Sequence, residues 1–265
     1  MTRAEDIKSC CAAAYSSDAV ALLLGDSYHP GGAALTRRLA TLLNLRSAQR
    51  VADVASGPGT TARLLTTEYD VIVDGVDFAG PAVQRARQTT AQLGLGDRIQ
   101  FHIGDAERIP LPDNTFDAVL TECAFCTFPD KEAAAAEFGR ILRPGGRIGL
   151  ADVTVADAGL PDELSTLAAW VACVADAQPI KRYCQILDDV GLRALHTETH
   201  DDALVRMIDQ IEARLHLMQM TQQDVVIAAG IDVDKVLEFI DVARRAIADR
   251  LLGYALVVAE KPRPS

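Results

Sequence analysis

The chain has 265 residues, a formal net charge of −11 and a hydrophobic share of 49%. That balance is the balance of a folded globular protein and excludes disorder as the dominant state; so acidic a chain also lacks the basic face that following a phosphate backbone requires. No run of about 18 uncharged apolar residues occurs, so no membrane span is expected, and Met1-Thr2-Arg3-Ala4-Glu5-Asp6 lacks the apolar core of a signal peptide, which points to the cytoplasm.

In chain order, residues 1–48 read as a helical cap. Gly25 to Gly32 breaks it as a turn, and Leu35, Leu39, Leu42 and Leu43 recur at helical spacing after it. Arg50 to Ala55 reads as a short buried strand. Strands and helices then alternate. Tyr69–Asp77, Ile99–Ile103, Phe116–Thr121 and Arg147–Asp152 read as strands. Pro81–Leu93 and Lys131–Leu142 read as helices, the second stopped by Pro144-Gly145-Gly146. Such alternation builds a parallel sheet covered on both faces. Leu160–Val174 and Ile180–Val190 read as helices and Leu192–His200 as a sixth strand. Residues 201–252 carry only helical periodicity, and Gly253–Glu260 is a last strand. The expected organisation is a core of residues 49–200 and 253–262, a cap of 1–48 and a helical insertion of 201–252.

The loop Asp53-Val-Ala-Ser-Gly57-Pro-Gly59-Thr-Thr-Ala62 follows the first strand and opens a helix. Glycines let a ligand approach the backbone closely, and a helix N-terminus offers free N–H groups to an anion. Asp77, with Phe78 beside it, ends the second strand, where an acid can accept from both hydroxyls of a ribose. These features suit a dinucleotide, and they suit S-adenosylmethionine, whose carboxylate would meet the loop.

Further motifs separate the two. Gly104-Asp105-Ala106-Glu107 through Pro112-Asp113-Asn114-Thr115-Phe116-Asp117, and Leu142-Arg143-Pro144-Gly145-Gly146-Arg147, resemble the class I S-adenosylmethionine-dependent methyltransferases. The resemblance implies an α/β fold, a doubly wound, seven-stranded, mostly parallel sheet with its last strand antiparallel. It implies S-adenosylmethionine as cofactor. The Gly57/Gly59 loop would hold the methionine part and Asp77 the ribose. Asp105 and Ala106 would meet the adenine edge, and Asp53 would orient the loop or meet the amino group. Ala55 stands where many members have glycine. Glu122, beside Cys123 after the fourth strand, is expected at the cofactor site, where it would steer substrate or cap the strand end.

The chain has six cysteines. Cys123 and Cys126 follow the fourth strand, at the sheet edge where ligands sit in open α/β folds, and Cys10-Cys11 lies in the cap. Zinc wants four tetrahedral ligands, and only one C-x-x-C is present; a redox disulfide between Cys123 and Cys126 is another reading. The segment Glu122-Cys123-Ala-Phe-Cys126-Thr-Phe-Pro129-Asp130-Lys131 resembles the arsenite methyltransferases, as does Ala169-Trp170-Val-Ala-Cys173. That resemblance implies trivalent arsenic held as substrate by Cys123, Cys173 and one of Cys10 and Cys11, with Cys126 as a substitute ligand or resolving thiol. Soft arsenic suits thiolates. The open alternatives are an O-, N- or C-methyltransferase for a small organic molecule, in which the cysteines are incidental, and a non-catalytic metalloid-binding protein.

Overall fold

A computed structural model of the chain describes residues 8, 9, 11–13, 15, 17–25, 28–160, 164, 174, 176–228 and 230–264. The cap contributes α1 (Asp18–Leu24) and α2 (Gly32–Leu42). The core then runs β1 (Arg50–Val54), α3 (Thr60–Tyr69), β2 (Ile72–Asp77), α4 (Gly80–Gln92), β3 (Ile99–Ile103), β4 (Phe116–Glu122), α5 (Lys131–Ile141) and β5 (Leu142–Val155). It continues with α6 (Ile180–Asp189) and β6 (Arg193–Thr199). Three helices follow, α7 (Asp201–Thr221), α8 (Gln223–Ala228) and α9 (Val233–Ala248), before β7 (Leu252–Glu260).

The seven strands form one sheet in the order β3-β2-β1-β4-β5-β7-β6. β1 to β5 pair in parallel, and β7 inserts antiparallel between β5 and β6. This is the doubly wound, seven-stranded, mostly parallel sheet expected from the motifs. The chain winds outward from β1 in one direction and from β4 in the other, so the strand order reverses between them. A crevice opens there beyond the strands' carboxyl ends, and it is the place where such sheets bind ligands.

Period-two alternation divides the core between two faces. Val51, Val73 and Leu120 point to one face, beneath α2, α3 and the insertion helices α7 and α9. Ala52, Val54 and Val119 point to the other, beneath α5 and α6 with Phe138, Tyr183 and Leu187. The insertion is tied to the core, to the cap and within itself. Asp201 accepts the Tyr254 N–H at 3.0 Å, Arg244 joins α9 to Asp209 and Glu212 on α7, and Arg214 donates to the Leu23 carbonyl of α1.

Several boundaries shift from those expected, two of them for a visible reason. Tyr69 ends α3 instead of beginning β2, and Asp70 closes that helix in the left-handed conformation. The Tyr69 hydroxyl donates to the Arg37 carbonyl, so packing between α2 and α3 outweighs the strand preference of an aromatic residue. β5 begins at Leu142, through the Pro144-Gly145-Gly146 stop. Gly145 N–H donates to the Lys261 carbonyl, and Lys261 N–H donates to that of Gly146. Most of the helix expected over Leu160–Val174 lies outside the described residues. No described helix is long and apolar enough to cross a membrane.

Candidate active site

The crevice between β1 and β4 is a cavity of about 330 Å³, within the range of small-molecule sites, about 300–1,000 Å³. Its floor is the loop after β1. Ala55, Gly57 and Gly59 all take left-handed φ values, +61°, +51° and +77°. At Gly57 an added Cβ would meet nothing within 4 Å, so the backbone there faces open space. At Gly59 it would lie 2.4 Å from the Phe101 ring, so only glycine lets this loop sit on β3.

Asp77, at the end of β2, accepts from Gly57 N–H at 2.7 Å and from Ala79 N–H at 2.8 Å. Burial pushes its carboxyl up, and the two backbone N–H groups pull it partly back. Asp53 is buried at the end of β1. Burial pushes its carboxyl well above the usual range, and the charges of Glu122 and Asp77 push the same way. Among the described residues Asp53 Oδ2 and Ser56 Oγ, both of residues lining the cavity, find no hydrogen-bond partner. Buried polar atoms of this kind call for a partner. A bare glycine loop, a strand-end acid and two unsatisfied polar atoms on one cavity fit S-adenosylmethionine.

Glu122 has its side chain 5% exposed. It accepts from Thr36 Oγ1 at 2.9 Å and Thr61 Oγ1 at 2.6 Å, and His29 Nε2 lies 3.5 Å away. One carboxylate therefore ties β4 to the cap and to α3. Asp105 accepts from Glu107 N–H and from the ammonium of Lys8 at 2.8 Å, and Lys8 also pairs with Glu107. Ala106 and Phe78 line the wall near Asp105 and Asp77. Lys8, Thr36 and Thr61 carried no motif and were not anticipated. His29, in the turn before Pro30-Gly31-Gly32, also lines the cavity.

The cysteines divide. Cys123 and Cys11 line the cavity. Cys123 has φ +53°, strained for a residue with a side chain, and its N–H donates to the Ala151 carbonyl at 2.7 Å. Cys126 does not reach the cavity wall. It is buried in the turn Phe125–Thr127, whose amides at Ala124 and Cys126 donate to the buried Asp152. Cys123 and Cys126 form no disulfide. Cys184 sits on α6, where burial raises its thiol. Cys10 and Cys173 lie outside the described residues. Among the described residues no three His, Cys, Asp or Glu side chains are grouped to hold a metal ion.

Residues 52–150 match the family described as a methyltransferase domain. The 27-O-demethylrifamycin SV methyltransferase of Amycolatopsis mediterranei is 36% identical over 118 residues, 44% of this chain and 43% of that protein. An O-methyltransferase of Pyrenophora dematioidea is 27% identical over 215 residues, covering 80% and 75%. An arsenite methyltransferase of Halobacterium salinarum is 28% identical over 158 residues, covering 58% and 40%. The chain thus spans less than half the length of the first and third of these. Among solved structures, a Galdieria sulphuraria protein described as a sarcosine dimethylglycine methyltransferase superposes with a TM-score of 0.77 at 20% identity, over 88% of this chain and 86% of that one. Sheet order, glycine loop and domain match converge: residues 52–150 form a methyltransferase domain, and the chain has the fold of the class I S-adenosylmethionine-dependent methyltransferases.

Proposed function

We propose that this protein transfers a methyl group from S-adenosylmethionine to a small-molecule acceptor bound beside Cys123 and His29. The observation that carries the reading is the cavity at the β1/β4 reversal, lined by Asp77, the Gly57 loop and Asp53, whose Oδ2 is unsatisfied. When bound, S-adenosylmethionine supplies a methyl group on a sulfonium sulfur, open to in-line attack. The residues supply position. Asp77 accepts from the ribose hydroxyls, the Gly57–Gly59 loop and Asp53 hold the amino-acid end, and Asp105, Ala106 and Phe78 border the adenine. Glu122 ties the cap to α3 through Thr36 and Thr61, and Tyr15, Tyr28 and Phe128 line the cavity with it. Positioning of this kind supplies up to about 7–11 kcal/mol of barrier reduction in favourable cases.

A second reading, thiolate-bound trivalent arsenic as acceptor, has one observation in its favour: Cys11 and Cys123 line the same cavity. Cys173, and Cys10 in place of Cys11, would complete a three-sulfur set, and the arsenic lone pair would attack the methyl carbon without a base. The experiment is S-adenosylhomocysteine production by the purified, reduced protein with arsenite, with methylarsenite and with a panel of hydroxylated aromatics. Product with an organic acceptor that persists in Cys11→Ser and Cys123→Ser supports the first reading. Product that needs arsenite and is lost in both variants supports the second. Failure to bind S-adenosylhomocysteine in calorimetry overturns both.

A further inference from the structure

Four carboxylates line the cavity: Asp53, Asp77, Asp105 and Glu122. Two basic side chains line it among the described residues, Lys8 and His29, and each lies against a carboxylate. The Lys8 ammonium is held by Asp105 at 2.8 Å and by Glu107, and His29 Nε2 stands 3.5 Å from Glu122 Oε2. The rest of the far wall is aromatic or aliphatic, with Tyr15, Tyr28 and Phe128 prominent.

An anionic group brought into such a site loses its water, faces the carboxylate of Glu122 and those of Asp77 and Asp105 beyond it, and finds no uncommitted cation among the described residues. We infer that the acceptor is an uncharged, largely apolar small molecule, and that phosphorylated or carboxylated acceptors are rejected by the field of the cavity. The inference rests on the proposed methyl transfer and selects among its possible acceptors. It holds for a neutral phenol or alcohol and for undissociated arsenite alike. Glu122 is then a specificity-determining residue as well as a tie between elements, because it is the carboxylate next to Cys123 at the acceptor end.

The test uses a pair of probes with one ring system and different charge, 2-naphthol and 2-naphthyl phosphate. Their binding is followed by saturation-transfer NMR on the full chain, first confirmed by calorimetry to be saturated with S-adenosylhomocysteine. We expect 2-naphthol to bind at least tenfold more tightly than its phosphate. In Glu122→Gln the ratio should fall several-fold, through tighter binding of the phosphate. Equal or tighter binding of the phosphate, or no binding of 2-naphthol, overturns the inference. A ratio unchanged in a folded Glu122→Gln variant overturns its electrostatic cause. Failure of S-adenosylhomocysteine itself to bind is a different result, and it overturns the proposed function instead.

Discussion

The Asp77 carboxylate accepts the Gly57 amide hydrogen at 2.7 Å, so the acid at the end of β2 and the glycine loop after β1 are one hydrogen-bonded unit. Its other oxygen is held by Ala79 N–H. The carboxylate is therefore aimed before any ligand arrives, and the ligand meets a loop already in place. Removing it has two costs, a lost partner for the ribose and a loosened loop. Asp77→Ala should weaken S-adenosylmethionine binding by about 1.5–3 kcal/mol, the range for hydrogen bonds to a charged group. Calorimetry reads this directly. Unchanged affinity would remove Asp77 from the cofactor site.

Ala55 occupies a left-handed turn, φ +61°, at the position where the motif ordinarily has glycine. A Cβ in that conformation costs about 1–2 kcal/mol. Glycine returns part of the gain, about 0.4–1 kcal/mol, through its freer unfolded chain. Ala55→Gly should therefore stabilise the protein by roughly 0.5–1 kcal/mol, seen as a higher urea midpoint with an unchanged slope. A lower midpoint would mean that the Ala55 methyl contributes packing that outweighs the strain.

How far the sequence disclosed this site depends on the separation of its parts. The glycine loop and Asp77 lie in one strand–helix–strand unit, and local chemistry marks each of them. Glu122 could be seen as an acid at a strand end, but its partners could not. Thr36 and Thr61 are ordinary residues far along the chain, brought to it only by the packing of α2 and α3. Lys8 meets Asp105 across a comparable gap. The C-x-x-C looked like a pair with one task, yet the short helical turn between the two cysteines leaves Cys123 at the cavity and buries Cys126. Pro144-Gly145-Gly146 ends a helix as its composition says. Only the pairing with Lys261 makes the same residues part of β5.

Lys8 bridges Asp105 and Glu107 with its side chain 15% exposed, and it is the cap's charged link to the loop after β3. A partly exposed pair of this kind contributes no more than about 1 kcal/mol, so the fold should survive its loss. The cap should not stay as closed. In Lys8→Ala, hydrogen exchange around residues 8–15 should quicken, and S-adenosylhomocysteine should dissociate several-fold faster. The wild type should move the same way at high salt, because ionic screening acts on the same contact. Exchange and dissociation both unchanged would show that the cap is held by its apolar contacts alone.

Asp53 offers the clearest pH signature. Its carboxyl is fully buried, and its affinity for a proton is raised first by burial and then by Glu122 and Asp77. Below the unfolded-chain value of about 3.9 both states hold the proton, and the group has no effect on stability. Above it the unfolded chain releases the proton while the folded one retains it. Stability then falls with rising pH, by up to about 1.4 kcal/mol per unit, until the folded-state value is passed. Asparagine copies the protonated shape and cannot ionise. Its amide adds a cost of its own at the unsatisfied Oδ2 position, but that cost does not vary with pH. The stability of Asp53→Asn relative to wild type should therefore climb from about pH 4 upward and then level off, whatever its value at the acid end. Urea unfolding of both proteins across that range measures the difference, in which the titrating groups that do not interact with Asp53 cancel. A flat difference would mean that Asp53 is ionised in the folded protein at every pH examined. Its negative charge would then be balanced by groups that draw on more than its own loop.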